Sequence, residues 1–361
     1  MSSQHYQRQL LQIETQLRKQ WRLGQNIVLC WCPDPNGLLL ILVPHYFLGN
    51  FTAKKPSGSD ESAHNEHFIR QVISGSRRRT HEELFDIARR LHVSTTFIRL
   101  EEPLHNDAEL LEQAETVISR YGIGFVERRA VLLFDIAEFS LHSPFEQASQ
   151  LNSLSYSMNS AYNKLQREGV EVNFARTTTG DGYYVWNRDI GPYPDLDLLI
   201  FLLLILVDNA VARSEASGAT VPVIRSAFHI GSHYELFQAE GVNPTVFSYI
   251  VGDVTIALAR MLNHAKAGQV LMGDFQAPLP ERMGQHDASE FLKTALREIA
   301  ELRHLKIGDK QLSYLSLLSD SCGGEHPTML SFKDKHGITH SASPLHFQAD
   351  LEGTIIEIGS P

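Results

Sequence analysis

The stretch RTTTGDGYYVW, Arg176 to Trp186, sets one carboxylate, Asp181, between two glycines with strand-forming residues on both sides. Thr, Tyr, Val and Trp favour strands and Gly180-Asp181-Gly182 is a tight-turn sequence, so a β-hairpin is predicted here. Two readings of Asp181 are open. It is either a good turn former or a carboxylate held at a strand end to bind something.

The elements around this hairpin follow a regular order. Arg129 to Phe134 reads as an apolar strand and Pro144 to Glu168 as a helix. Val170 to Ala175 and Gly182 to Trp186 read as the strands flanking the turn, Asp195 to Ser214 as a helix and Val221 to Ile230 as a strand. The order β-α-β-β-α-β specifies an α+β sheet layer with helices on one face. Beyond it, helices are predicted over Asp253 to His264 and Ser289 to Leu302, and strands over Gln269 to Met272 and Leu312 to Leu317. Residues 323–361 read as a Gly-, Pro- and His-rich tail.

Inside the second helix, Leu198 to Val207 reads LLIFLLLILV, ten apolar residues bounded by Asp195, Asp197 and Asp208. A membrane span needs about 20 apolar residues, so a buried helix is predicted. The first 20 residues are polar and amphipathic, unlike a signal peptide. These features point to a soluble protein, and its cysteine usage to a reducing, cytoplasmic setting. A length of 361 residues suggests two domains, and 43% hydrophobic with 20% charged residues is ordinary for a globular chain. The net charge of -10 argues against broad nucleic-acid binding. Three cysteines, Cys30, Cys32 and Cys322, are too few and too oddly numbered for a disulfide framework. Cys30-x-Cys32 lies in an apolar run with no second Cys/His pair at zinc spacing.

Residues 1–120 read as a separate, mixed α/β extension with a regulatory or dimerisation role. Gln4 to Arg22 has helical periodicity, and Asn26 to Cys32 and Leu38 to Val43 are strands joined by a Pro- and Gly-containing turn. Phe51 to Glu66 is rich in turn formers and reads as a mobile loop. Glu83 to Glu102 resembles half of a helix-turn-helix, with Arg77-Arg78-Arg79 just ahead of it. The competing reading, favoured by the acidic total, is an amphipathic helix followed by a strand, its arginines forming a solvated face.

LFDIAEFS, Leu133 to Ser140, ends an apolar strand on Asp135, where a carboxylate is costly unless it emerges at the sheet edge or meets a cation. Asp181 follows 46 residues later in a similar setting. Antiparallel neighbours could bring both to one edge, and two aspartates there suit Mg²⁺ or Mn²⁺ with open positions for phosphate oxygens. Two ions roughly 3.5–4 Å apart would support in-line displacement at phosphorus. Spacing alone leaves this level with two structural turn residues.

Five segments together resemble the class III nucleotidyl cyclases, the adenylate and guanylate cyclase family. FDIAEFS looks like Phe-x-Asp-Ile-x-x-Phe-Thr/Ser, and TTTGDGYYVW like the family's Gly-Asp-Gly/Ser hairpin. RSAFHIG, from Arg225, is similar to the Arg-x-Gly-x-His-x-Gly strand. GDVTIALARM, Gly252 to Met261, resembles Gly-Asp-x-Val-Asn-x-Ala-x-Arg-Leu/Met, and Gly268-Gln269-Val270 matches the strand that follows. The resemblance implies a ferredoxin-like βαββαβ catalytic domain over 127–318. It implies Asp135 and Asp181 as ligands of two Mn²⁺ or Mg²⁺ ions, with the Ile136 carbonyl completing one site. The backbone from Ala137 through Phe139 to Ser140 would cradle a triphosphate. A head-to-tail homodimer would have the partner chain supply Arg260 over the α-phosphate, where an Arg fork meets developing charge. Lys306 falls near the family's phosphate-binding Lys. The products would be a 3′,5′-cyclic nucleotide and pyrophosphate.

The chain departs from the family at the base. Purine cyclases read it with a Lys where Thr177 stands and with an Asp, Cys or Thr where Tyr249 stands; their ribose-binding Asn is Ile256 here. A shorter reader and a bulkier neighbour narrow the pocket, which suits a pyrimidine. Hydroxyls of Thr177 and Tyr249 can donate or accept, so they do not separate uracil from cytosine. Arg176 would favour uracil, but strand alternation points it away from Thr177 unless the strand bulges. UTP is the favoured substrate, with CTP, a purine substrate and a catalytically inactive regulator as alternatives. The combination resembles the pyrimidine cyclases of bacterial anti-phage (Pycsar) systems, in which a separate effector senses cUMP or cCMP.

Overall fold

The computed structural model describes residues 3–53, 61–101, 104, 107–170, 172–188, 192–239, 246–280, 282–302, 304–318, 329–333 and 337–359. The chain divides into two compact units, residues 1–127 with 234–251, and residues 128–233 with 252–361.

The first unit runs α1 (Ser3–Trp21), β1 (Asn26–Asp34), β2 (Gly37–Pro44), α2 (Phe47–Thr52), α3 (Glu61–Ile73), α4 (His81–Leu91), β3 (Thr95–Arg99) and α5 (Ala108–Ser119). Its antiparallel sheet has the order β1-β2-β3. β1 reads as an unbroken apolar run because both its faces are covered. Val28 and Trp31 pack with Ile13 and Leu17, while Leu29, Cys30 and Cys32 pack with Ile69 and Leu84. The loop predicted over Phe51 to Glu66 is helical at both ends, and 54–60 lie outside the described residues. The helices are tied together by Ser62 Oγ donating to the Thr52 carbonyl at 2.6 Å and Asn65 Nδ2 to the Phe51 carbonyl at 3.1 Å.

The Glu83 to Glu102 region is an amphipathic helix and a strand. Thr80 caps α4 in a reciprocal capping box with Glu83, and His92 ends the helix in the left-handed region at φ +54°. The expected solvated face of arginines does not form at Arg77, which is only 3% exposed. Its N–H donates to Glu115 Oε1 at 2.8 Å and its guanidinium to the Ser119 carbonyl at 3.4 Å. Burial lowers its pKa to about 10 against the pull of Glu115 and Glu235.

The chain continues with β4 (Ile123–Ile136), α6 (Pro144–Arg167), β5 (Phe174–Thr178), β6 (Gly182–Asn187), α7 (Pro194–Glu215), β7 (Ile224–Ala239), β8 (Val246–Val251), α8 (Asp253–Leu262) and β9 (Val270–Gly273). It ends with β10 (Gln276–Leu279), β11 (Arg282–Asp287), α9 (Ala288–Glu301), β12 (Lys306–Ile307), β13 (Lys310–Leu317), β14 (Leu330–Lys333), β15 (Thr339–Leu345), β16 (Phe347–Leu351) and β17 (Thr354–Ile358). The main sheet has the order β14-β15-β9-β7-β4-β6-β5. Its segment β7-β4-β6-β5, joined through α6 and α7, is the 4-1-3-2 order of a βαββαβ ferredoxin-like layer. β9 then joins β7 in parallel, with Ser226 opposite Val270. The domain is therefore α+β, as its sequence order predicts.

α7 explains the apolar run. Every residue from Leu198 to Asn209 is buried. Asp208 at the end of the run is paired, its Oδ2 accepting from Lys164 Nζ of α6 at 2.7 Å. Asp195, in the first turn of α7, accepts the Ala130 N–H of β4 at 2.7 Å. Among the described residues no helix is long and apolar enough to cross a membrane. The described part of 323–361, read as a tail, instead supplies β14 to β17. β15 extends the main sheet beside β9, and β16 and β17 complete a second sheet in the order β12-β13-β16-β17. Alternating burial along β16 (Phe347, Ala349 and Leu351 buried) is what holds this segment down.

Candidate active site

β4 and β6 are antiparallel neighbours in a register that pairs Asp135 with Gly182, so the Gly-Asp-Gly turn closes at the end of β4. The Ile136 N–H donates to the Asp181 carbonyl at 3.0 Å and extends the ladder into the turn. Gly182 is required by close approach: a Cβ there would stand 1.8 Å from the Phe134 carbonyl oxygen. Gly180 is required by conformation, with φ +107°. The threonines ahead of them hold the turn. Thr178 Oγ1 accepts the Gly180 N–H at 3.0 Å, the Thr179 N–H donates to the Gly182 carbonyl at 3.0 Å, and Thr179 Oγ1 donates to Asp181 Oδ1 at 3.4 Å.

The two carboxylates thus meet at one edge, and a third group joins them. Arg225, near the start of β7, donates from Nε to Asp135 Oδ2 at 2.8 Å and makes a second bond to the same oxygen through its terminal nitrogen. Asp135 has its pKa raised, first by burial. The Arg225 hydrogen bond and charge pull it down, and the nearby Asp181 carboxylate pushes it further up. Sequence reading assigned Arg225 no role beyond opening its motif. The usable signal was the charge itself, since an aspartate ending an apolar strand calls for a cation on a neighbouring strand.

The other residues singled out are distributed as follows. The segment after Asp135 turns sharply at Glu138 (φ +57°) into a 3₁₀ turn over Phe139–Leu141. Phe139 packs against the core, Ser140 is exposed, and the Phe139 carbonyl is tied to α6 by Gln147 Nε2 at 3.0 Å. The Ala137 N–H is already committed to the Val223 carbonyl at 2.9 Å, so it is not a free donor to a phosphate. Thr177 is half-buried on β5 opposite Tyr184, whose hydroxyl donates to the Thr255 carbonyl of α8 at 3.1 Å. β5 does not bulge: its register with β6 is continuous from Phe174 to Thr178. Arg176 therefore faces away from Thr177, donating to Ser155 Oγ at 2.9 Å and lying over the Tyr183 ring at 5.2 Å.

Arg260 lies on α8 one turn beyond Ile256, which is 50% exposed, and the i, i+4 spacing puts both on one helix face. Lys306 is exposed on β12, paired with Gln311 in the second sheet. The Asp135–Asp181–Arg225 cluster is built from β4, the β5–β6 turn and β7, whereas Arg260 stands on α8 and Lys306 on β12. Tyr249 is on β8 opposite Leu236, in the first unit, whereas Thr177 belongs to the second.

No protein-family model matches this chain, and no curated protein matches it by sequence. Among solved structures it is similar to the guanylate cyclase domain of RhGC from Catenaria anguillulae in complex with GTP, at 16% identity and a TM-score of 0.37, over 61% of this chain and 97% of that one. It is also similar to the guanylyl cyclase Cya2, at 12% identity and TM-score 0.36, over 60% and 91% of the two chains. The adenylyl cyclase CyaB from P. aeruginosa aligns at 14% identity and TM-score 0.32, over 46% and 93%. Likeness at this level is loose, and the strand order itself defines the fold.

The residues present suit a hard divalent cation. Two carboxylates converge beside the backbone at Ile136, and Asp135 already draws a cationic partner. Among the described residues no cluster of three or more His, Cys, Asp or Glu side chains forms a closed metal site. Two carboxylates and a carbonyl leave positions that substrate oxygens can fill, which is the pattern of phosphate-handling sites.

Proposed function

We propose that this chain is a nucleotide cyclase acting on a pyrimidine nucleoside triphosphate, UTP first, to give the 3′,5′-cyclic monophosphate and pyrophosphate. One observation carries the reading: Asp135 and Asp181 meet at one edge of a 4-1-3-2 sheet, beside Arg225. Three of the five segments that resemble class III cyclases lie on β4, the β5–β6 hairpin and β7, and the other two on α8 and at the start of β9.

In the reaction a bond forms between the ribose 3′-oxygen and the α-phosphorus, and the bond from that phosphorus to the leaving pyrophosphate breaks. Asp135, Asp181 and the Ile136 carbonyl would hold the Mn²⁺ or Mg²⁺ ions, which supply charge neutralisation to the phosphate oxygens. With the Ala137 N–H committed elsewhere, the backbone donors of Glu138, Phe139 and Ser140 cradle the triphosphate. Arg225 opposes the upward push of burial on the Asp135 pKa. In a head-to-tail homodimer the partner chain supplies Arg260 over the α-phosphate, and Lys306, exposed on β12, contributes positive charge to the phosphates. Thr177 and Tyr249 occupy the positions from which purine cyclases read the base, and their hydroxyls suit either pyrimidine. Arg176, turned to Ser155 and Tyr183, takes no part in that choice. Residues 1–120 act as a regulatory or dimerisation extension in a cytoplasmic enzyme whose cyclic product signals to a separate effector in anti-phage defence.

The test is incubation of the purified chain with Mn²⁺ and each of the four nucleoside triphosphates, with products identified by mass. A cyclic pyrimidine nucleotide lost on Asp135→Ala or Asp181→Ala is expected. A cyclic purine as sole product sinks the pyrimidine assignment. No product from any triphosphate favours a regulator, and activity surviving either aspartate substitution removes the metal assignment.

A further inference from the structure

Three side chains of the first unit, Cys32, His81 and Asp34, stand in a row that cyclase chemistry does not use. Cys32 Sγ, on β1, is 3.4 Å from His81 Nδ1. His81, the first residue of α4, is half exposed and sets its Nε2 3.6 Å from Asp34 Oδ2. Asp34 is fixed at the β1–β2 turn, where its Oδ1 accepts the Asn36 N–H at 2.9 Å. Cys32 is 3% exposed, and its Sγ–H can donate to the Pro33 carbonyl at 3.4 Å or to His81 Nδ1 at the same distance. With His81 as acceptor, a thiol, an imidazole and a carboxylate beside that imidazole stand in the order of an activated nucleophile.

The row opens on a cavity of about 590 Å³ whose lining includes Cys32, His81, Arg78, Arg79, Thr80 and Glu83. Arg78 is exposed, and Thr80 is the N-cap of α4, so the positive end of the helix dipole faces the same space. The Glu83 carboxylate is occupied by the Thr80 N–H at 2.8 Å and hydroxyl at 3.1 Å. Arg78 and the N-terminus of α4 give the cavity a positive side for an anion, beside the Asp34 and Glu83 carboxylates. Burial, with Asp34 and Glu83 adding, pushes the Cys32 thiol up, so the resting group is protonated and thiolate forms as His81 takes the proton. Cys30 is an internal contrast, since burial pushes it up to about 12 and no histidine is bonded to it among the described contacts.

We propose that Cys32 is a thiol-modification site for small anionic disulfides. Cys32 gives its proton to His81 Nδ1, and Sγ attacks one sulfur of the disulfide. A mixed disulfide forms at Sγ, the original S–S bond breaks, and the other half leaves as a thiolate. Cys32 is oxidised and the reagent reduced, and the imidazolium returns its proton to the leaving thiolate or to water.

The test uses the full chain carrying Cys322→Ser, with the dianionic 5,5′-dithiobis(2-nitrobenzoate) and the neutral 4,4′-dithiodipyridine, and circular dichroism to check folding. One fast thiol per chain is expected, absent in Cys32→Ser and slowed at least about tenfold in His81→Gln, with its pH profile moved to alkaline pH. Arg78→Ala should slow the dianionic reagent and leave the neutral one unchanged. Labelling that persists in Cys32→Ser, or an unchanged rate and pH profile in His81→Gln, overturns the site. Equal slowing of both reagents by Arg78→Ala overturns the preference for an anion.

Discussion

Asp135 on β4 is held by Arg225 on the neighbouring strand β7, two hydrogen bonds converging on one carboxylate oxygen. The side chains are 16% and 30% exposed, so neither charge is well solvated. Asp181 stands close enough to raise Asp135 further. The cluster is one cation bound to Asp135 with a second carboxylate beside the pair. Removing that cation leaves a half-buried like-charge pair.

Arg225→Met should therefore lower stability by about 1–3 kcal/mol, less than for a fully buried pair because solvent screens part of it. Adding Asp135→Asn should recover much of the loss, since the orphaned charge is gone. Thermal melts of the two single variants and the double variant check this. Additive losses would show that the pair is not coupled.

The two glycines of the turn are needed for different reasons and should respond differently. Gly182→Ala forces a methyl against the Phe134 carbonyl and should cost about 1–3 kcal/mol or more, disturbing the β4–β6 register under both aspartates. Gly180→Ala meets open space and carries only the strain of its positive φ, about 1 kcal/mol. Paired denaturant titrations compare them, and equal losses would contradict the close-approach argument.

Asp197, in the first turn of α7, has its pKa raised to about 7 by burial, with Glu298 adding. The folded state then keeps a proton that the unfolded chain loses near its ordinary value of 3.8. Stability from this group accordingly falls as pH rises from about 4 to about 7 and is flat above that. Asp197→Asn should raise the melting temperature by a few degrees at pH 8, by roughly nothing at pH 3.5, with the gap opening in between. A constant gap across that range would remove the assignment.

The three consecutive arginines should separate cleanly. Arg77→Met removes a buried guanidinium, leaving the Ser119 carbonyl without its donor and Glu115 without a nearby positive charge, for a loss of about 2–4 kcal/mol, whereas Arg78→Ala at an exposed position should stay within about 0.5 kcal/mol. Melting of both variants tests this. A duplex-DNA mobility shift that disappears on Arg78→Ala would restore the nucleic-acid reading.

Much of the fold was legible because local signals agreed with one another. Gly180-Asp181-Gly182 between β-branched and aromatic residues is a hairpin in any context, and Ser143-Pro144 with Glu146 starts a helix by capping alone. The ten apolar residues of α7 were readable as buried because charge bounds them at both ends. Arg77 was not readable. Its neighbours Arg78 and Arg79 look identical in sequence, and only distant partners, the Ser119 carbonyl that takes its guanidinium and the Glu115 charge, distinguish it. Residues 329–359 failed for a related reason: short strands with Gly and Pro between them have little local signature, and β15 is fixed by β9, far away in the chain.

What sequence decides here is periodicity, turn chemistry and the βαββαβ order, all set within a few residues by backbone sterics and side-chain pattern. It also decides that Asp135 and Asp181 end strands. The tertiary structure alone decides which strands are neighbours. Register across β4 and β6 brings the two carboxylates to one edge, and β7 beside β4 brings Arg225 to Asp135. Long-range pairing of this kind is settled by burial and charge compensation between distant segments, which no local pattern encodes. The same holds at Cys32, whose partner His81 arrives from a helix 49 residues away.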